Sequence, residues 1–126
     1  MRTIIAGSRD IVDPSIVESA ILESGFEITA TVCGEARGVD TLGKQWSIAN
    51  GIPVHSYPAQ WATYGKSAGY IRNKQMAENA DALIAIWDGQ SRGTKSMITL
   101  AQDLGLEVYI FMVDMYCSEC CVRRKK

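Results

Sequence analysis

The chain has 126 residues, 47% of them hydrophobic and 21% charged, and a formal net charge of -1. That length suits one domain with its own core, and the near-neutral balance argues against a general duplex-DNA or polyanion binder, which carries a basic excess. No apolar stretch approaches the ~20 residues of a membrane span and no leader signature follows Met1, so no membrane partner is expected and the expected location is the cytoplasm.

Thr3-Ile4-Ile5-Ala6 is a short apolar run that stops at Gly7-Ser8-Arg9-Asp10, the pattern of a buried first strand and a loop. Asp13-Pro14 reads as an N-cap followed by proline at the first helical position. Ser15 and Glu18 offer an alternative capping box two residues on. Val17, Ala20, Ile21 and Ser24 share one helical face, and Gly25 breaks the helix. Ile28 to Cys33, rich in β-branched residues, reads as the second strand. After Gly34-Glu35-Ala36-Arg37-Gly38-Val39-Asp40, a helix carries Val39, Leu42, Trp46 and Ala49 at helical spacing and ends at Asn50-Gly51.

Ile52 to Tyr57 is the third strand, with Pro53 near its start, where the missing N–H does least harm. Pro58 to Ala68 is a long irregular connection, a length that often marks function. A helix over Gly69 to Asn79 follows, then an apolar strand from Ala82 to Trp87. The polar loop Asp88 to Gly93 leads into a helix beginning at about Thr94 and burying Met97, Ile98, Ala101 and Leu104. Leu106 to Met112 is the last strand. Residues 113–126 form a separate tail, basic at its end and carrying Cys117, Cys120 and Cys121.

Five alternations of strand and helix predict an α/β fold: a Rossmann-like three-layer sandwich around a mostly parallel five-stranded sheet, ordered 3-2-1-4-5. In that order the chain reverses direction between the first and fourth strands, and open α/β sheets bind ligands at this switch point. Three loops converge there: Gly7-Ser8-Arg9, Gly34 to Asp40, and Asp88 to Gly93. Each pairs glycine, which lets backbone approach a phosphate, with arginine, whose planar fork suits phosphate oxygens. Asp10, Glu35, Asp40 and Asp88 balance the charge. The helix start beyond Gly93 adds free N–H groups and the positive end of a dipole.

Neither a Walker loop nor a G-x-G-x-x-G fingerprint is present, which argues against an ATPase or an ordinary dehydrogenase. Cys117-x-x-Cys120 has zinc-ligand spacing but lacks a second pair, and the single His55 lies far off, so no metal is expected. The same single histidine leaves no Ser/His/Asp or Cys/His set. Trp61, Tyr64 and Trp87 are either base-stacking or packing residues. Asp88 either accepts from a ribose hydroxyl or turns the chain.

Ile71-Arg72-Asn73-Lys74-Gln75-Met76-Ala77, Asn79 to Ala85 and Gly93-Thr94 resemble the second half of the LOG ("lonely guy") nucleotide phosphoribohydrolases. Ile5 to Asp10, Gly34 to Asp40, Ile71-Arg72-Asn73 and Trp87 to Thr94 are still more similar to the small YspA-like branch of the same SLOG superfamily, to which the DprA-like proteins also belong. The resemblance covers residues 2–111. It implies a nucleotide-binding domain over 1–112, homo-oligomeric (a dimer or higher), with no cofactor.

It also implies ligand contacts from Gly7, Ser8, Arg9, Gly34, Arg37, Gly38, Asp40, Arg72, Asn73, Asp88, Ser91, Arg92, Gly93 and Thr94. The ligand implied is a nucleotide or nucleotide-derived small molecule, such as an ADP-ribose-like or cyclic nucleotide signal of bacterial and phage conflict. One position departs from the hydrolases. Where they carry a glutamate three residues after the Gly-Thr pair, this chain has Met97, which cannot handle a proton. The expectation is therefore binding, for sensing or sequestration, with no catalytic residue. The alternative is an N-glycosidase-type enzyme using Asp88, Asp40 or Glu35. Single-stranded DNA handling, the third possibility, is disfavoured by the acidic balance and the absence of a basic stripe.

Overall fold

The structure is a computed structural model describing residues 1–8, 11, 13–34, 38–113 and 122–125, with backbone alone for Trp61 and 122–125. Its strands are β1 (Arg2–Gly7), β2 (Ala30–Cys33), β3 (Val54–Ser56), β4 (Ala82–Trp87), β5 (Glu107–Val113) and β6 (Val122–Lys125). The helices are α1 (Pro14–Ser24), α2 (Val39–Ala49), the single turn α3 (Trp61–Tyr64), α4 (Ala68–Glu78) and α5 (Arg92–Asp103). The sheet runs β3-β2-β1-β4-β5-β6. The first five strands pair parallel, in the order expected.

β6 is an addition, antiparallel to β5. With one apolar residue, Val122-Arg-Arg-Lys does not announce a strand. Edge pairing needs only backbone groups.

Alternate residues of the central strands feed two cores. Ile5, Ile84, Ile86 and Phe111 pack with Val17, Ala20 and Ile21 of α1 and Val39 of α2. Ile4, Ala6, Leu83 and Ala85 pack with Met76 and Ala77 of α4 and Met97, Ile98 and Ala101 of α5. Two layers of helix thus sandwich the sheet, because both its faces are apolar.

Local chemistry sets the helix ends. Asp13 caps α1 by accepting from Ser15 N at 3.0 Å, with Pro14 in the first turn, so the alternative capping box is not used. Gly25 closes it in the left-handed region at φ 69°.

Four expectations need correction. α2 turns Val39, Gly43 and Ser47 to the sheet, with Leu42 and Trp46 half-buried and Ala49 exposed. It lies so close that a Cβ on Gly43 would come within 2.9 Å of Ile5, and the buried Ser47 and Thr31 hydroxyls bond at 2.6 Å. Small residues set this face, and an apolar pattern does not reveal them. The connection over Pro58 to Ala68 is not irregular throughout: it contains α3 and a 3-10 turn at Gly65–Ser67. Leu104 is exposed, standing just past the last turn of α5. Finally, α5 starts at Arg92 rather than about Thr94, because Ser91 is its cap.

Candidate functional site

The carboxyl ends of β1 and β4 meet where the sheet order reverses. Ser8 N donates to Ile86 O at 3.1 Å, and Asp88 N donates to Ser8 Oγ at 3.3 Å. The first loop is thereby stitched to the last. Gly7 is demanded by this closeness, since a Cβ there would lie 2.1 Å from the Ile86 carbonyl oxygen.

Asp88 turns the chain. Its Oδ1 accepts from Gln90 N and Ser91 N, both at 2.8 Å. Burial pushes its carboxyl up, but the Gln90 and Ser91 N–H groups and the Ser8 hydroxyl pull it down further, so it sits below the usual aspartate value. A carboxylate so occupied is an anchor and is poorly placed to serve as an acid. Ser91 then starts α5, accepting from Thr94 N at 3.4 Å and from Thr94 Oγ1 at 3.1 Å. Trp87 Nε1 donates to Ser91 O at 3.0 Å and braces the same turn, so the indole is a packing residue.

On the other side, Arg72 of α4 reaches across to β2. Its Nη1 donates to Gly34 O and its Nε to Asn73 Oδ1 at 2.9 Å. Gly34 gives room for this: a Cβ would stand 2.7 Å from Arg72 Nη1 and 2.8 Å from Asp40 Oδ2. Gly38, at φ 75°, precedes α2 in a conformation suited to glycine.

These parts enclose a cavity of about 80 Å³. Ala6 and Gly7 come from β1, Asp40 from α2, Arg72, Asn73 and Met76 from α4, and Ser91, Gly93, Thr94 and Met97 from the start of α5. A water's share of liquid is ~30 Å³ and small-molecule pockets run to ~300–1,000 Å³. The cavity therefore suits one small oxyanion or the head group of something larger.

Its donors are specific. Arg92 and Gly93 open the helix, so their N–H groups have no acceptor within it. Asn73 is only 8% exposed. Its Oδ1 is fixed by Arg72, and its Nδ2 has no acceptor among the described residues. Among the described residues no fully buried side-chain polar atom lacks a partner, so Nδ2 is accessible, and Asn73 lines the cavity. Gly93 is exposed and has ordinary backbone geometry, and a Cβ there would meet nothing within 4 Å. Neither packing nor conformation requires this glycine. Asp40 is the contrasting element, a carboxylate 7% exposed on the opposing wall.

Comparison with known proteins finds a phage relative. No family model matches the chain. It is 31% identical over 120 residues to the Gene 61 protein of Mycobacterium phage D29, a match covering 87% of this chain and 95% of the phage protein. The chain belongs to the Gene 61 protein family.

In this Gene 61 family member, the expected site residues divide into three groups. Gly7, Asp40, Arg72, Asn73, Ser91, Gly93 and Thr94 come together around the cavity. Ser8, Gly34, Gly38 and Asp88 support its walls. Arg92 projects elsewhere, into a groove of about 360 Å³ beside Tyr70 and Lys95. Arg9, Asp10, Glu35, Ala36, Arg37, the three tail cysteines and the Trp61 side chain lie outside the described residues. His55 is exposed on the edge strand β3 rather than packed. Tyr64 and Tyr70 are exposed, whereas Trp46 and Met112 are half-buried.

Sequence reasoning missed Met76 and Ala6 as lining residues. Met76 follows Arg72 by one helical turn and could have been found by that spacing. It also missed Lys95, a cation in a helix's first turn. Among the described residues, no cluster of three or more His, Cys, Asp or Glu could hold a metal ion, and no helix is long and apolar enough to cross a membrane.

Proposed function

We propose that the chain binds a nucleotide or nucleotide-derived small molecule through a phosphoryl group seated in this cavity, and that it senses or sequesters that molecule. The observation that carries the reading is Asn73, a nine-tenths-buried amide that lines the cavity and whose Nδ2 has no acceptor among the described residues. The free N–H groups at the start of α5 and the guanidinium of Arg72 add donors to the same space. The resemblance to SLOG proteins supports a nucleotide as the molecule carrying the phosphoryl group. The phage relative gives sequestration of a bacterial signal a natural setting.

Asn73→Asp tests the reading, because it replaces the Nδ2 donor by an acceptor of almost the same shape and keeps the oxygen that receives Arg72. Titration with inorganic phosphate should show at least a tenfold loss of affinity. Unchanged affinity would defeat the reading.

Asp40 favours a second reading, hydrolysis of a nucleotide N-glycosidic bond. With Asp88 tied into its turn, Asp40 is the cavity's own carboxylate among the described residues. Chromatography of nucleoside monophosphates and ADP-ribose analogues after incubation separates the two. Turnover that disappears in Asp40→Asn would establish the enzyme, and intact substrate with the wild type would leave the binder.

A further inference from the structure

The side chain of Arg92 leaves the cavity and enters the groove between α4 and α5. Arg92 and Lys95 both stand in the first turn of α5, at the positive end of the helix dipole, where cations are unfavourable and acids are preferred. No acidic residue occupies that turn. Among the described residues neither cation is paired with a carboxylate. Three sources of positive potential therefore add at one end of the groove.

The middle of the groove is different. Tyr70 of α4 is 55% exposed. With Leu100 it gives an aromatic and aliphatic wall, and the half-buried Ser96 supplies a hydroxyl nearby. Asp103 lies at the far end, eight residues beyond Lys95 and so about 12 Å along the helix axis. The order is cations, aromatic wall, carboxylate. At about 360 Å³, the groove also falls in the ~300–1,000 Å³ range of small-molecule sites, which the neighbouring cavity does not.

We propose that the α4–α5 groove is a second ligand site, distinct from the cavity, for an aromatic anion of the nucleotide class. The phosphate faces Arg92 and Lys95, the base lies against Tyr70 and Leu100, and an amino group on the base donates to Asp103. Cation and ring recognition are separable here, because Arg92 and Lys95 act by charge and Tyr70 by stacking. The site does not depend on the cavity's function.

The test uses the full chain and two probes, inorganic phosphate and AMP. Lys95→Glu reverses a charge in the groove with a residue that the helix start prefers, so the fold is retained, and it leaves Arg92, whose N–H serves the cavity, in place. This variant should bind AMP at least tenfold more weakly than wild type, while any phosphate affinity contributed by the cavity survives. Tyr70→Ala should weaken AMP about fivefold, and Tyr70→Phe should restore it. AMP binding that is equal in wild type and the charge-reversed variant would overturn the groove site and leave the cavity reading intact. AMP binding lost in the charge-reversed variant, with no phosphate binding by wild type, would uphold the groove and overturn the cavity. A wild type that binds neither probe would overturn both.

Discussion

The two sides of the cavity use glycine for opposite purposes. On the β1 and β2 side, Gly7 and Gly34 are imposed by their neighbours: a Cβ would strike the Ile86 carbonyl in one case and the Arg72 and Asp40 side chains in the other. On the α5 side, Gly93 has open space around its missing Cβ and sits in a helix, where glycine is a poor choice. The first side is shaped by packing, which leaves the glycine of the second unexplained. A glycine in a loop motif can thus be set by its packing neighbours alone, as Gly7 is.

The largest effect should come from filling the packed side. Gly7→Ala places a methyl against backbone, which cannot rotate away, and should cost about 3 kcal/mol or more in denaturant unfolding. A smaller loss would mean that β1 and β4 can separate more readily than their hydrogen bonds imply. Met97→Glu places a carboxylate at a position 1% exposed within a core cluster. It should cost about 2–3 kcal/mol, because a charge buried among apolar neighbours must be neutralised or unpaired. A stable Met97→Glu protein would show that the wall is less committed to packing than its burial suggests.

Asp88 lies between the two sides, anchoring the turn that aims α5. Asp88→Ala removes the side-chain acceptor of two backbone N–H groups and should cost about 1–2 kcal/mol. The charge matters as well. The carboxyls of Asp88 and Asp81 are both held below their ordinary value, Asp81 by the Arg2 N–H and guanidinium. A depressed folded value contributes stability that is fully present above the unfolded value of about 3.9 and is lost as pH falls through the lower, folded value. Stability should therefore be flat above about pH 5 and fall below about pH 4. Asp88→Ala should shrink that acid loss, and an unchanged acid limb would contradict the role given to this carboxylate.

The sheet was largely legible because its strands announce themselves. Ala82 to Trp87 is a continuous apolar run, as a strand covered on both faces must be, and the order of strands follows from alternation with helices. The site was legible as a place and less so as a set of side chains. Arg92 and Gly93 are adjacent in sequence, yet helical rotation sends one to the groove and the other to the cavity. Reading residues 88–93 as loop hid this, because Gly93 looks like a turn residue when Ser91 is not recognised as the cap. Asp88 and Trp87, each open to a ligand role by sequence, are used internally through hydrogen bonds that only tertiary geometry fixes. β6 and the Gly43–Ser47 face were illegible for a related reason: backbone pairing and close approach leave little trace in hydropathy.

The most direct measurement is Gly93→Ala, with thermal unfolding and phosphate titration performed on the same preparation. Alanine is the better helix former by about 0.5–1 kcal/mol, and the added methyl meets no protein atom. The melting temperature should hold or rise while phosphate affinity falls at least tenfold. Unchanged phosphate affinity, or a clear loss of stability, would contradict the assignment of this glycine, and of the cavity beside it, to ligand approach.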